Sequence, residues 1–135
     1  MREFLDTNVL VAAFATRGLC ADLVRTVLTD HQLITGEVVL SELQRVLDER
    51  IRLPASTVAE IVMLLRAQEV VLKPAEPSSL SIRDADDQWI VASAVAGHAD
   101  VLVTGDQDLL AVAKESPLPI LSPRGFWEQL RGRSS

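Results

Sequence analysis

Tyrosine is absent from this 135-residue sequence, and phenylalanine and tryptophan together make up 4% of it. A surface that stacks base after base on aromatic rings is therefore poorly provided for. With a single cysteine, Cys20, no internal disulfide can form, and the expected compartment is the cytoplasm. An export signal is not expected either, because an acid interrupts the opening Met-Arg-Glu-Phe-Leu-Asp before an apolar core could develop. Long hydrophobic runs are also missing. Val9–Ala15 and Trp89–Gly97 are the longest largely apolar stretches, far below the ~20 residues that cross a bilayer, so no membrane partner is expected. Glycine and proline number six each, with no repeat and no low-complexity tract, which excludes collagen-like and disordered chains.

What is present is the composition of a globular domain, 48% hydrophobic and 24% charged. The length suits one domain over residues 1–130, with residues 131–135 expected to fray. Lysine and arginine number 13 against 19 acids, a net charge of −6, which taken as a whole argues against a nucleic-acid partner. Seven acids, Asp6, Glu42, Asp84, Asp86, Asp87, Asp106 and Asp108, fall into one candidate cluster, and setting them aside leaves 12 acids against 13 bases. Eleven of those bases are arginine, whose planar fork suits phosphate. The acidity is thus expected to be local.

Short apolar runs alternate with stretches of helical period, the pattern of an α/β domain with a mostly parallel sheet. Strands are expected at Glu3–Leu5, Gln32–Thr35, Val70–Lys73, Val101–Thr104 and Pro119–Leu121. Helices are expected at Asn8–Ala15, Leu19–Leu28, Glu37–Glu49, Ala55–Glu69, Asp86–His98, Gln107–Lys114 and Arg124–Leu130. The Arg17-Gly18 step separates the first two.

Parallel sheets place ligand sites outside the carboxyl ends of their strands. Asp6 ends the first strand there, and Asp106 follows the fourth, with Asp108 two residues on. Phase selects among the helix acids. At roughly 100° per residue, Asp87 lies within the apolar stripe of Ile90, Val91 and Ala94, whereas Asp86 lies about 85° away. Glu42 flanks the stripe of Val39, Leu40, Leu43, Val46 and Leu47. Taken singly, Asp6, Asp84 and Asp106 suit helix N-caps, and Asp86 and Asp108 suit first-turn acids. Glu42 alone would be a solvated helix residue. His31 and His98 show no ligand spacing and are expected to be structural, as are Trp89 and Trp127. Together, however, acids aimed at one end of a sheet repel one another by several kcal/mol. A hard dication, Mg²⁺ or Mn²⁺, relieves that, and such an ion activates water beside a phosphodiester.

The segments Asp6-Thr7-Asn8-Val9-Leu10, Ser41-Glu42-Leu43, Asp84-Ala85-Asp86-Asp87-Gln88-Trp89-Ile90-Val91-Ala92 and Ala99-Asp100-Val101-Leu102-Val103-Thr104-Gly105-Asp106-Gln107-Asp108-Leu109-Leu110 resemble the PIN-domain ribonucleases, specifically VapC-like toxins. The resemblance spans nearly the whole chain, in the family's order. It implies a three-layer sandwich with a five-stranded parallel sheet flanked by helices, and a Mg²⁺/Mn²⁺-dependent endoribonuclease. It places the family's acidic quartet on Asp6, Glu42, Asp87 and Asp106, with Asn8, Thr104 and Asp108 as supporting polar residues and Asp84 beside them. The Asp84-Ala85-Asp86-Asp87 run offers more than one third acid, and phase and spacing favour Asp87. The resemblance further implies a homodimer and a small cognate antitoxin. Arg17, Arg45, Arg50, Arg52 and Arg83 are the candidate RNA phosphate contacts.

Two other readings compete. A phospho-acceptor receiver domain has this length and an acidic Mg²⁺ pocket, but needs an acceptor Asp after the third strand and a Lys after the fifth; here Lys73-Pro74 and Leu121-Ser122-Pro123 stand there. A PIN-type RNA-binding or scaffold protein without catalysis is the other.

Overall fold

A computed structural model describes residues 1–133. Five strands form one parallel sheet: β1 (Arg2–Leu5), β2 (Gln32–Gly36), β3 (Glu69–Val71), β4 (Val101–Val103) and β5 (Ile120–Leu121), in the order β3-β2-β1-β4-β5. The first strand made is therefore the central one. Phe4 pairs with Ile34 on one side and Leu102 on the other, and all three are fully buried. Burial on both faces explains why these strands read as short apolar runs rather than alternating ones.

Seven α-helices cover the faces among the described residues: α1 (Thr7–Ala15), α2 (Leu19–Asp30), α3 (Glu37–Arg45), α4 (Ala55–Arg66), α5 (Ala85–Ala96), α6 (Gln107–Ala111) and α7 (Pro123–Arg133). No single helix among those residues is long and apolar enough to cross a membrane. Helices α1 and α2 meet at 105°, with Gly18 between them at φ +140°, a conformation that L side chains rarely adopt. The sheet packs α5 closely. A Cβ added at Gly97 would stand 2.7 Å from Val71 Cγ2 and 2.9 Å from Ile34 Cγ2.

Several boundaries depart from expectation. The helix expected to reach Glu69 stops at Arg66, where Ala67 and Gln68 amides close the last turn on Met63 and Leu65 carbonyls. Arg66-Ala67-Gln68-Glu69 are all good helix formers, so no stop signal marks the place. The helix expected over Glu37–Glu49 is α3 followed by a π turn, Val46–Arg50. The helix expected over Gln107–Lys114 is α6 followed by a 3₁₀ turn, Ala113–Glu115. Residues 131–133 of the expected frayed end continue α7, while residues 134 and 135 lie outside the described residues. The receiver reading is overturned by topology: β3 is an edge strand, whereas that fold runs 2-1-3-4-5 with its switch beside a central third strand.

Candidate active site

Along the sheet, chain order reverses between β1 and β4, and parallel sheets open a crevice at such a point. The register sets Leu5 opposite Val103, and the Asp6 amide donates to the Val103 carbonyl at 2.9 Å. Asp6 and Thr104 thus leave adjacent strand ends although 98 positions separate them. The Thr104 hydroxyl donates to Asp6 Oδ2 at 2.8 Å, as does Asn8 Nδ2 at 3.0 Å. The Thr7 amide donates to Oδ1 at 2.7 Å. Both oxygens of Asp6, a residue only 4% exposed, are therefore held.

The following turn is tied to the same residues. Asn8 Oδ1 accepts from the Gly105 amide at 2.9 Å, and a Cβ at residue 105 would sit 3.3 Å from that oxygen. The Asp106 amide donates to Thr104 Oγ1 at 3.0 Å, and Asp106 Oδ1 caps α6 by accepting from the Asp108 amide at 2.8 Å. Capping and clustering are thus compatible in one residue.

Asp87 arrives from the first turn of α5, which Asp84 caps through the Asp86 amide at 2.9 Å. Asp84 and Asp86 are exposed, whereas Asp87 is 7% exposed and its Oδ2 has no hydrogen-bond partner. Carboxylate oxygens of Asp87, Asp106 and Asp108 lie within 4.8 Å of one another. Glu42 stands half-buried on α3. Asp6, Asn8, Glu42, Asp84, Asp87 and Asp106 share the lining of one cavity of about 590 Å³.

The electrostatics follow from burial and crowding. Burial pushes the Asp87 carboxyl up to about 7, reinforced by the charges of Asp106, Asp6 and Asp84. Burial also raises Asp6, opposed by the Thr104 and Thr7 hydrogen bonds and aided by the Asp106 charge. Glu42 is raised by burial and then by Asp6. An orphaned, buried carboxylate oxygen within a set of oxygen donors, with no sulfur or imidazole among them, fits a hard dication.

The structure thus gathers the four acids of the expected quartet around one cavity, but its tightest group differs from that quartet. Asp108, expected as a supporting residue, stands with Asp87 and Asp106, whereas Asp6 is engaged by three donors. Of the candidate arginines, Arg45 and Arg50 line the cavity. Arg83 is outside the lining, with a guanidinium nitrogen 4.0 Å from Asp108 Oδ1. Arg17 and Arg52 lie outside the lining. His31, expected to be structural, places Nδ1 2.7 Å from the buried Glu3 Oε1 near the opposite end of β1.

The sequence matches the model of the PIN domain family over residues 2–108. No curated protein sequence matches the chain. Among solved structures, VapBC2 from Rickettsia felis, bound to a DNA fragment from its promoter, superposes with a TM-score of 0.64 at 20% identity, covering 90% of this chain and 98% of that one. VapBC-1 from nontypeable Haemophilus influenzae gives 0.62 at 20% identity, covering 92% and 99%. Mycobacterium tuberculosis VapC20, a Sarcin-Ricin loop cleaving toxin, gives 0.59 at 14% identity, covering 82% and 94%. At such identities the likeness is one of fold.

Proposed function

The chain belongs to the PIN-domain family, and on that premise we propose that it is a Mg²⁺- or Mn²⁺-dependent endoribonuclease acting as the toxin of a toxin–antitoxin pair in the cytoplasm. The observation that carries this reading is the convergence of Asp6, Glu42, Asp87 and Asp106 on one cavity, with a buried Asp87 oxygen that has no partner. The fold neighbours that are VapBC assemblies support a small antitoxin as partner, and VapC20 supports RNA as substrate. A homodimer is part of the same reading, as is one PIN domain over residues 1–130.

Asp87, Asp106 and Asp108 would hold the ion together with Asp6, and Glu42 would hold a second ion or orient the attacking water. When bound, the dication supplies a Lewis acid that lowers the pKa of water and offsets charge building on the phosphoryl oxygens. Asn8 and Thr104 fix the Asp6 rotamer, so the carboxylate does not reorganise during turnover. Arg45 and Arg50 on the cavity wall would hold the phosphates flanking the scissile bond.

The test is cleavage of RNA by the full chain with MgCl₂ or MnCl₂ against the Asp6→Asn variant. Activity should fall at least ~100-fold, while circular dichroism shows the fold retained. Undiminished metal-dependent cleavage by the variant, purified free of contaminating nuclease, would overturn the assignment.

A further inference from the structure

A second cleft, of about 380 Å³, lies between α3 and α5 and shares Glu42, Arg45, Asp86 and Ile90 with the acidic cavity. Lys73 and Trp89 form its outer wall. Lys73 stands two residues beyond β3. Trp89 sits about 200° round α5 from Asp87, so one helix offers a carboxylate to the first cleft and an indole to the second. The indole is only partly buried, and the exposed Lys73 Nζ stands 4.4 Å from its ring centroid. Neither Lys73 nor Arg45 forms a salt bridge among the described residues. Glu37, on the same wall, is already held by both Arg66 nitrogens at 2.8 and 3.1 Å.

We propose that this cleft is a nucleotide subsite, in which Trp89 stacks one unpaired base of an RNA strand and Lys73 with Arg45 binds its phosphate. The proposal rests on the ribonuclease reading and extends it beyond the acids. A strand with one phosphate among the carboxylates passes over the shared rim of Glu42 and Arg45 into this cleft. Of the three acids in the lining, Glu37 is paired with Arg66, and Glu42 and Asp86 stand on the rim shared with the metal-binding cavity of the proposed function. That leaves two cations beside the indole to suit an anion that carries a planar ring; an acidic peptide supplies the first feature and not the second. The lysine ammonium now occupies the place of a base, and its flexible stem lets it exchange the ring for the incoming phosphate. Every base has a π face, so the subsite fixes where the strand lies rather than which base it carries.

Binding is measured in the full chain carrying Asp6→Asn, chosen to suppress hydrolysis, by anisotropy of a fluorescein-labelled octauridylate. Trp89→Ala should weaken binding about 5- to 100-fold, the range for loss of one base stack. Trp89→Phe should restore part of the affinity, and Trp89→Leu, which keeps apolar bulk without a ring, should not. Lys73→Ala should weaken binding and lower the slope of log affinity against log salt by about 0.7. With Trp127→Phe added, Trp89 is the one remaining tryptophan, and octauridylate should quench it while an abasic chain of equal phosphate number does not. Unchanged affinity in the Trp89→Leu and Lys73→Ala variants, with RNA still bound and the Asp6-intact protein still cleaving, overturns the subsite and leaves the ribonuclease reading standing. The same pattern with loss of a protein partner assigns the cleft to protein. A parent chain that neither binds nor cleaves RNA overturns both readings.

Discussion

Asp87 is held under strong electrostatic tension, and its sign can be worked out. Its carboxyl titrates near 7 in the folded protein against an ordinary 3.8. Between those values the folded protein holds a proton that the unfolded chain has lost. The stability this group contributes is therefore full below about pH 4 and drains away as pH rises to about 7. Asparagine imitates the protonated acid at every pH. Asp87→Asn should match the metal-free parent near pH 4 and exceed it by about 1–3 kcal/mol at pH 8, read from denaturant titrations in chelator. A parent–variant difference independent of pH would contradict the tension described. Asp108 poses a separate question, because its amide serves the Asp106 cap while its carboxylate faces Asp87 and Asp106. Asp108→Asn should weaken Mn²⁺ binding in calorimetry about 10-fold or more, with the α6 cap intact because the cap uses the backbone amide. Phase arithmetic found Asp87 from sequence, since a carboxylate on an apolar stripe needs a reason. The sequence put Asp108 in the candidate cluster as a supporting residue but not in direct company with Asp87, because two residues of a tight turn can point anywhere until the Asx hydrogen bond fixes them. Nor did it attach a purpose to Trp89. The signal was there, a large ring on the outward side of a helix, but its lysine partner lies 16 positions away on another element.

At the scale of elements, the arrangement depends on how closely α5 approaches the sheet. Gly97 has only side-chain atoms of Val71 and Ile34 within 3 Å of its missing Cβ, and Ile34 is fully buried. Gly97→Ala should therefore cost about 1–3 kcal/mol by overpacking, measured by chemical denaturation. It should also reduce RNA cleavage more than stability alone explains, because displaced α5 carries Asp87 with it. Activity retained beside full destabilisation would separate the two. The strand cores, the helix order and the break at Gly18 were all legible, since burial on both faces and turn residues leave local marks. The end of α4, the π turn after α3 and the early end of α6 were not. Those boundaries are set by tertiary contacts acting on residues with good helical propensity, such as Ala67 and Gln68, which carry no stop signal.

The whole molecule bears a net charge of −6, and the structure concentrates several of those charges at one end of the sheet. Removing that repulsion by ion binding should stabilise the entire fold. Mn²⁺ at about 100 times its dissociation constant should contribute ~2.7 kcal/mol and raise the melting temperature by about 5–10 °C at pH 8. The gain should shrink at pH 5.5, where protons compete for Asp87. Scanning calorimetry in chelator and in Mn²⁺ at both pH values reads this directly, and a pH-independent gain would place the ion away from Asp87. The strand order has one more consequence, which concerns synthesis. Within this domain the middle strand is made before its β4 neighbour and Asp106, which follow about a hundred residues later. Until then a growing chain holds Asp6 without the acids it gathers with. On the nuclease reading, a domain laid out this way cannot cut until β4 and the turn after it have been made, so completion of the sheet is itself the gate.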